Sequence, residues 1–327
     1  MSQRFTHLVA ASLLAGLALT AAPAQAADFP ERPLTVVVGY AAGGATDILA
    51  RLVSKAMSDE LGQPAVVENR AGANSNIGAD YVTRAKGDGY TIYVGTIANT
   101  INRALYKDLR HDFLEDFKFV GMMASIANVL VVNPQRPWQT VQDYIDYAKA
   151  HPGEVTCASS GTGSSIHMSC ELFKIRTGTD ILHIPYRGSG PAVVDLVAGQ
   201  VDSMFDNVPS SVTHIKAGTL RAIATTTAER VDNLPDTPTF TESGLKDFVV
   251  QSWFGLTVPK STPDDVVQIL NDALNRALKQ PEVVEAYAKS GFRTPPAPNS
   301  PASFHAHAAA EVQQWGEVVE QAKISVE

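Results

Sequence analysis

The chain has no excess of positive charge: 26 lysines and arginines stand against 34 aspartates and glutamates, a net charge of −8. That balance argues against nucleic acid as a partner. It also means that an anionic ligand must be held by local dipoles, because the global field repels it. Long apolar runs are missing after residue 26, so no later segment is expected to form a membrane helix. No lysine follows Gly43 and Gly44, which excludes a phosphate-cradling G-x-x-x-x-G-K-[ST] loop, and Gly39-x-x-x-Gly43-Gly44 does not match the dinucleotide fingerprint. There is no G-x-S-x-G elbow, so scattered Ser160, Ser164, His167, Asp195 and Asp206 do not amount to a hydrolase. Low-complexity tracts and short-period repeats are absent too. What remains is an ordinary globular composition, 45% hydrophobic and 18% charged.

What is present begins with an address. Within residues 2–26 the only charge is Arg4, followed by an apolar run from Leu8 to Leu19 and then Ala24-Gln25-Ala26. That is the pattern of a secretory signal peptide cut after Ala26, with a run too short to span a bilayer. No cysteine lies near the cut, so no lipid anchor is expected, and the mature chain reads as soluble and exported. Losing Arg4 takes the net charge from −8 to −9. About 300 residues remain, more than one core usually serves, so two lobes are expected. The only two cysteines, Cys157 and Cys170, fall on a predicted strand and on the helix after it. In an oxidising compartment they can pair as a disulfide or stand as two small buried residues, and spacing does not decide between these.

The organising stretch is Leu34 to Leu52, LTVVVGYAAGGATDILARL. Thr35–Val38 is a β-branched run short enough for a buried parallel strand, and Ile48, Leu49, Leu52 and Val53 carry helical spacing. Between them, Ala41 to Ala45 are small residues that allow close approach to the backbone. Unpaired N–H groups and the positive end of a helix dipole make such a loop an anion site, better suited to a small carboxylate than to a nucleotide. Asp47 is expected to shape this loop and not to touch an anion. Strands at Ala65–Glu68 and Thr91–Gly95 and helices at Thr46–Leu61 and Ile77–Ala85 complete a βαβαβ order, hence a parallel sheet with right-handed crossovers. Two further polar loops, Asn69–Asn76 and Thr96–Asn99, are expected on the same sheet edge.

Near Ser125 to Asn128 the chain is expected to cross into a second lobe. A strand at Val129–Val132 and a helix at Val141–Ala150 precede a repeat of the opening pattern: strand Glu154–Ala158, loop Ser159–Ser164, helix Ser165–Arg176. Then come strand Ile181–Ile184, loop Pro185–Gly190, helix Pro191–Ala198 and strands Val201–Phe205 and Arg221–Thr225. Val249–Val258 is expected to return the chain to the first lobe, followed by helices at Pro263–Leu278, Glu282–Ser290 and Ala302–Lys323. Two α/β lobes, each aiming a glycine-rich helix N-terminus at a shared cleft, suggest a protein that closes about a hinge.

Gly43-Gly44-Ala45-Thr46-Asp47, Val67-Glu68-Asn69-Arg70-Ala71-Gly72, Gly87-Asp88-Gly89-Tyr90-Thr91, Ala158-Ser159-Ser160-Gly161-Thr162-Gly163-Ser164, Ile184-Pro185-Tyr186-Arg187-Gly188 and Leu234-Pro235-Asp236-Thr237-Pro238 carry a resemblance over the whole mature chain. In order and spacing they are similar to the extracytoplasmic solute-binding proteins of tripartite tricarboxylate transporters, the Bug family. The resemblance implies a type II periplasmic-binding-protein fold: two α/β lobes around a ligand cleft, residues 27–125 plus 250–327 and residues 126–249, with no catalytic residue, cofactor or metal. It implies a monomer in the periplasm that passes a small organic acid to membrane permease subunits. A sensor that shows its closed state to a membrane signalling partner is the alternative.

Carried onto this chain, the family pattern implies one carboxylate on the N–H groups of Gly43, Gly44 and Ala45 and the hydroxyl of Thr46, with Tyr40, Ala42, Asn76 and Thr96 nearby. The far end of the ligand is expected at Ser160, Gly161, Thr162, Gly163 and Ser164, with Tyr186, Asp206 and His167, although His167 reads first as a packing or capping residue. Where the family usually has Pro or Phe, this chain has Ala41 and Ala42. The smaller residues suggest room for a bulkier acid, such as an aromatic dicarboxylate. Three other features read as structural: Arg70 pairing with Glu68 or Asp80, Trp315 as a core anchor, and His305 and His307 pointing to different helix faces without a shared metal site.

Overall fold

The computed structural model describes residues 29–246, 248–322 and 324. The expected signal peptide, residues 1–26, and Lys323 at the end of the last expected helix lie outside them. The chain opens with β1 (Leu34–Val38), α1 (Ala45–Leu61), β2 (Ala65–Asn69), α2 (Asn76–Thr83), β3 (Thr91–Thr96) and α3 (Ile97–Leu105). β1 pairs in parallel with β2 on one side and β3 on the other, as the βαβαβ order requires. α1 buries Leu49, Ala50, Val53, Ala56 and Met57, and Gly62 in the left-handed region (φ 67°) ends it.

β4 (Phe117–Val132) is a 16-residue strand. α4 (Val141–Ala150), β5 (Thr156–Ser159), α5 (Ser165–Thr177), β6 (Leu182–Pro185), α6 (Ser189–Val197), β7 (Ser203–Asn207), α7 (Val208–Lys216) and β8 (Arg221–Thr225) follow. β9 (Gln251–Pro259), α8 (Asp264–Ala277), α9 (Pro281–Ser290), β10 (Phe292–Arg293) and α10 (Pro301–Ala322) complete it. The strand order is β2-β1-β3-β9-β4-β7-β5-β6, with β8 and β10 also pairing to β4.

β4 belongs to two half-sheets. From Phe117 to Ala127 it pairs antiparallel with β9, and from Asn128 to Val132 with β7 and β8. At the changeover Asn128 N–H donates to Thr226 Oγ1 (3.0 Å), and the Thr226 hydroxyl donates to Val250 O (2.6 Å), tying the two connecting segments together. The apolar clusters follow the same division. One, with Leu130, Tyr144, Phe173, Phe205 and Phe240, draws only on residues 127–248. The other half-sheet is covered on one face by Leu49, Leu270 and Leu274 and on the other by Tyr93, Phe113, Phe304 and Trp315.

The structure corrects the sequence reading in three places. Thr96–Asn99, expected as a loop, is the start of α3: Asn99 Oδ1 accepts the Thr96 N–H (2.9 Å), and Ile97, Ala98, Ile101 and Leu105 are buried at helical spacing. Its Asn and Thr residues are weak helix formers, so packing decides. α7 is not expected from its Val-Pro-Ser-Ser-Val start, although Pro209 suits a first turn. β4 begins twelve residues before Val129, in a stretch where register shifts near Gly121 and Ala124 scramble the alternation by which a strand is read.

Candidate ligand site between the half-sheets

Two glycine-rich loops face each other where the half-sheets meet. In the first, Gly43 takes φ 88°, a conformation that side chains rarely adopt, and its N–H donates to Asp47 Oδ2 (3.1 Å). Asp47 also accepts from Arg51 (2.8 and 3.0 Å) and from Asn69 Nδ2 (2.9 Å). Burial works to raise this carboxyl, but the hydrogen bonds from Arg51, Gly43 and Asn69 outweigh it and hold the pKa below its usual value. Across the junction, Ala41 N–H donates to Arg187 O (2.9 Å) and Ala45 N–H to Ser210 Oγ (3.1 Å). The Gly43 and Ala45 donors expected for a ligand are therefore taken by the protein itself in this arrangement, and exposed Ala42 lies against Gly190.

The second loop is built the same way. Gly161 N–H donates to Ser159 Oγ (3.2 Å) and Gly163 N–H to His167 Nδ1 (3.0 Å), while Ser164 Oγ caps α5 by accepting the His167 N–H (3.2 Å). So Gly163 also spends its expected ligand donor internally, and His167 holds the loop from below. His183 stacks on His167, is hydrogen-bonded through Nε2 to Ser159 Oγ (2.6 Å), and has its pKa pushed down to about 3 by burial and then by His167. A Cβ on Gly163 would come within 3.0 Å of Asn74 and Asn102 of the first half, so this loop too is packed across the junction.

Between the loops lies a void of about 20 Å³, room for about one water. The first half lines it with Tyr40, Thr46, Thr96, Ile97 and Ala98, the second with Ser160, Ser164, Ser165 and Asn207. Ser252 and Phe254 of β9 form the rest. None of these side chains is charged, yet the wall is dense in donors and acceptors: the Ser252 hydroxyl lies 2.5 Å from Ser165 Oγ and 3.0 Å from Asn207 Oδ1. Tyr40, Thr46, Thr96, Ser160 and Ser164 are thus brought together around one void. Ile97, Ala98, Ser165, Asn207, Ser252 and Phe254 are additions; Ile97 and Ala98 fall within the Thr96–Asn99 segment and Ser165 adjoins the Ser159–Ser164 loop, while the other three carried no local signal.

Other candidates lie outside this wall. Asn76 Oδ1 accepts from Asn102 Nδ2 (2.8 Å) in an asparagine cluster behind Tyr40. The Tyr186 hydroxyl donates to Asp195 Oδ2 (2.7 Å), and Thr162 is half-buried beside the void without lining it. Asp206 is fully buried, accepts from the Ser211 hydroxyl, and leaves Oδ1 unpartnered; burial raises its pKa to about 6 against the hydrogen bonds around it.

Cys157 and Cys170 are both buried free thiols. Arg70 pairs with Glu68 (2.6 Å) under a cation–π contact with Tyr81, while Asp80 goes to His111. Trp315 is buried in the apolar cluster with Phe304. A concavity of about 700 Å³ beside the free edge of β2 is a shallow surface groove lined by Arg51, Lys55 and Gln63, with no residue of either glycine-rich loop in its lining.

Residues 49–324 match the Tripartite tricarboxylate transporter family receptor. Protein BugT of Bordetella pertussis is 39% identical over 301 residues, covering 91% of this chain and 92% of its own length. The structure of MatC from Rhodopseudomonas palustris with bound malate superposes with a TM-score of 0.86 at 34% identity, over 89% of this chain and 100% of that one. A second R. palustris protein, solved with adipate, gives 0.87 at 36% identity, over 91% and 100%. With its α/β half-sheets and facing loops, the chain belongs to the tripartite tricarboxylate transporter receptor family, as a periplasmic solute-binding protein of the Bug type and not an enzyme.

Proposed function

We propose that this protein captures a small aliphatic dicarboxylate between two lobes, residues 27–125 with 250–327 and residues 126–249, and carries it to a membrane permease. The observation that carries the reading is the convergence of the α1 and α5 N-termini, each behind a glycine-rich loop, on a wall of uncharged hydroxyl and amide groups. Helix N-termini favour carboxylates, and two of them set apart suit an anion with a charge at each end. The acids held by the two R. palustris relatives, malate and adipate, set the size range. In this closed arrangement Gly188 and Gly190 lie against Ala41 and Ala42, and the choice of an aliphatic over an aromatic acid rests on the acids of those two relatives.

A void of about 20 Å³ is far smaller than any such ligand, so entry requires the lobes to part. Renewed closure then excludes water and strengthens each hydrogen bond to the acid. Residues 1–26 direct export and are removed. Isothermal titration with malate, succinate, adipate and terephthalate, beside native mass spectrometry of the protein as purified, tests the ligand. One-to-one binding of an aliphatic diacid is expected; binding of terephthalate alone restores the aromatic reading, and binding of none of the four defeats the proposal. Loss of uptake of that acid on deleting the permease genes is the expected result for delivery.

A further inference from the structure

Gly190 is the second residue of α6, and its backbone is not in the left-handed region. Glycine is a poor helix residue and nothing in the local conformation asks for it. The neighbouring half explains it. A Cβ on Gly190 would stand 2.2 Å from Ala42 O, a backbone atom that cannot swing aside. The same segment donates no side chain to the void: Arg187 offers its carbonyl to Ala41 N–H (2.9 Å), and Ser189 Cβ would lie 3.3 Å from a Cβ on Gly44. Gly188, at φ 148°, needs glycine for its own conformation, so Gly190 is the position where the contact alone sets the residue.

We propose that Arg187–Gly190 is a closure latch that seats on Ala41–Ala45, with Gly190 as a positioning residue that governs how far the halves approach. The latch lies beside the ligand void and is made by the chain's own backbone; only its effect on affinity rests on the solute-capture reading above. Backbone meeting backbone tolerates no side chain, so one methyl group at residue 190 holds the halves apart while improving α6 itself.

The test compares the ligand-free wild type with Gly190→Ala and with Gly316→Ala, a helical glycine whose Cβ would meet nothing within 4 Å. Small-angle scattering should show a larger radius of gyration for Gly190→Ala alone. Amide exchange at Ala41 and Ala45 should quicken roughly tenfold or more, and affinity for malate or adipate should weaken by a similar factor. Ser210→Ala is the second variant: it removes the acceptor of Ala45 N–H and should quicken exchange there with α6 untouched. Unchanged scattering and exchange in Gly190→Ala overturn the latch, as does lost affinity with unchanged shape, which would place residue 190 at the ligand. If neither acid binds even the wild type, the carboxylate reading falls, and the latch is decided by shape and exchange alone.

Discussion

The imidazoles of His167 and His183 lie with ring centroids 4.0 Å apart and their planes 31° from parallel. His183 is partly buried, which is the larger cost of charging its ring, and the neighbouring His167 ring adds to that cost.

Acid sensitivity follows from that stack. His183 has its pKa lowered from 6.5 to about 3, so its neutral form stabilises the fold above pH 6.5, and that contribution is lost as pH falls toward 3. His183→Gln should lose about 1–3 kcal/mol less than the wild type between pH 7 and pH 4. Urea melts at the two pH values measure it, and parallel losses in both proteins would refute it.

Asp206 acts with the opposite sign. Its carboxyl is raised from 3.8 to about 6, so the fold favours the protonated form; this contribution is full below pH 3.8 and is lost as pH rises through 6. Asp206→Asn should remove a fall of about 1–3 kcal/mol over that window. Thermal melts between pH 4 and pH 7 should be flatter for the variant, and an unaltered slope would show that another group titrates.

Asp47 organises the first loop through four accepted hydrogen bonds. Asp47→Ala leaves the Gly43 and Asn69 donors without their acceptor and should cost about 2–4 kcal/mol, more than an exposed ion pair would. Asp47→Asn, which keeps one acceptor oxygen, should cost less. Equal costs in chemical denaturation would mean that charge, not acceptor geometry, holds the loop.

His167→Leu removes the acceptor of Gly163 N–H while keeping an apolar side chain under the loop. A stability loss of about 1–3 kcal/mol is expected, with dicarboxylate affinity falling too because Gly163 is no longer held. Calorimetry and thermal melts on the same preparation separate the two effects. Unchanged affinity would place the loop's order in α5 itself.

Local signals explain what could be read beforehand. The Val36–Val38 run and the glycines after it fall within one strand–helix turn, so the first loop is visible in order of residues. Asp47 as a loop-shaping residue is legible for the same reason: its Gly43 partner is four residues away. His167 and Gly163 share that spacing; His167 holds the loop as a packing residue does, whereas the family pattern puts the Gly163 donor at the ligand. The Ala45–Ser210 bond joins positions 165 apart, and no pattern in either segment announces it. Ser252 and Phe254 escape notice because they sit in an unremarkable strand whose importance comes only from where β9 passes.

β4 and β9 are bonded to each other over Phe117–Ala127 and Gln251–Pro259, right up to the point where both leave for the second half. Mechanically this pair is a flexure. Sliding one strand along the other would break a ladder of bonds and, at a one-residue slip, turn every side chain to the wrong face, whereas bending across the ribbon leaves the ladder whole. For the lobe opening proposed above, this leaves an angle as the soft coordinate. Under the delivery proposed above, a permease would need to gauge only that angle to learn whether the cargo is aboard.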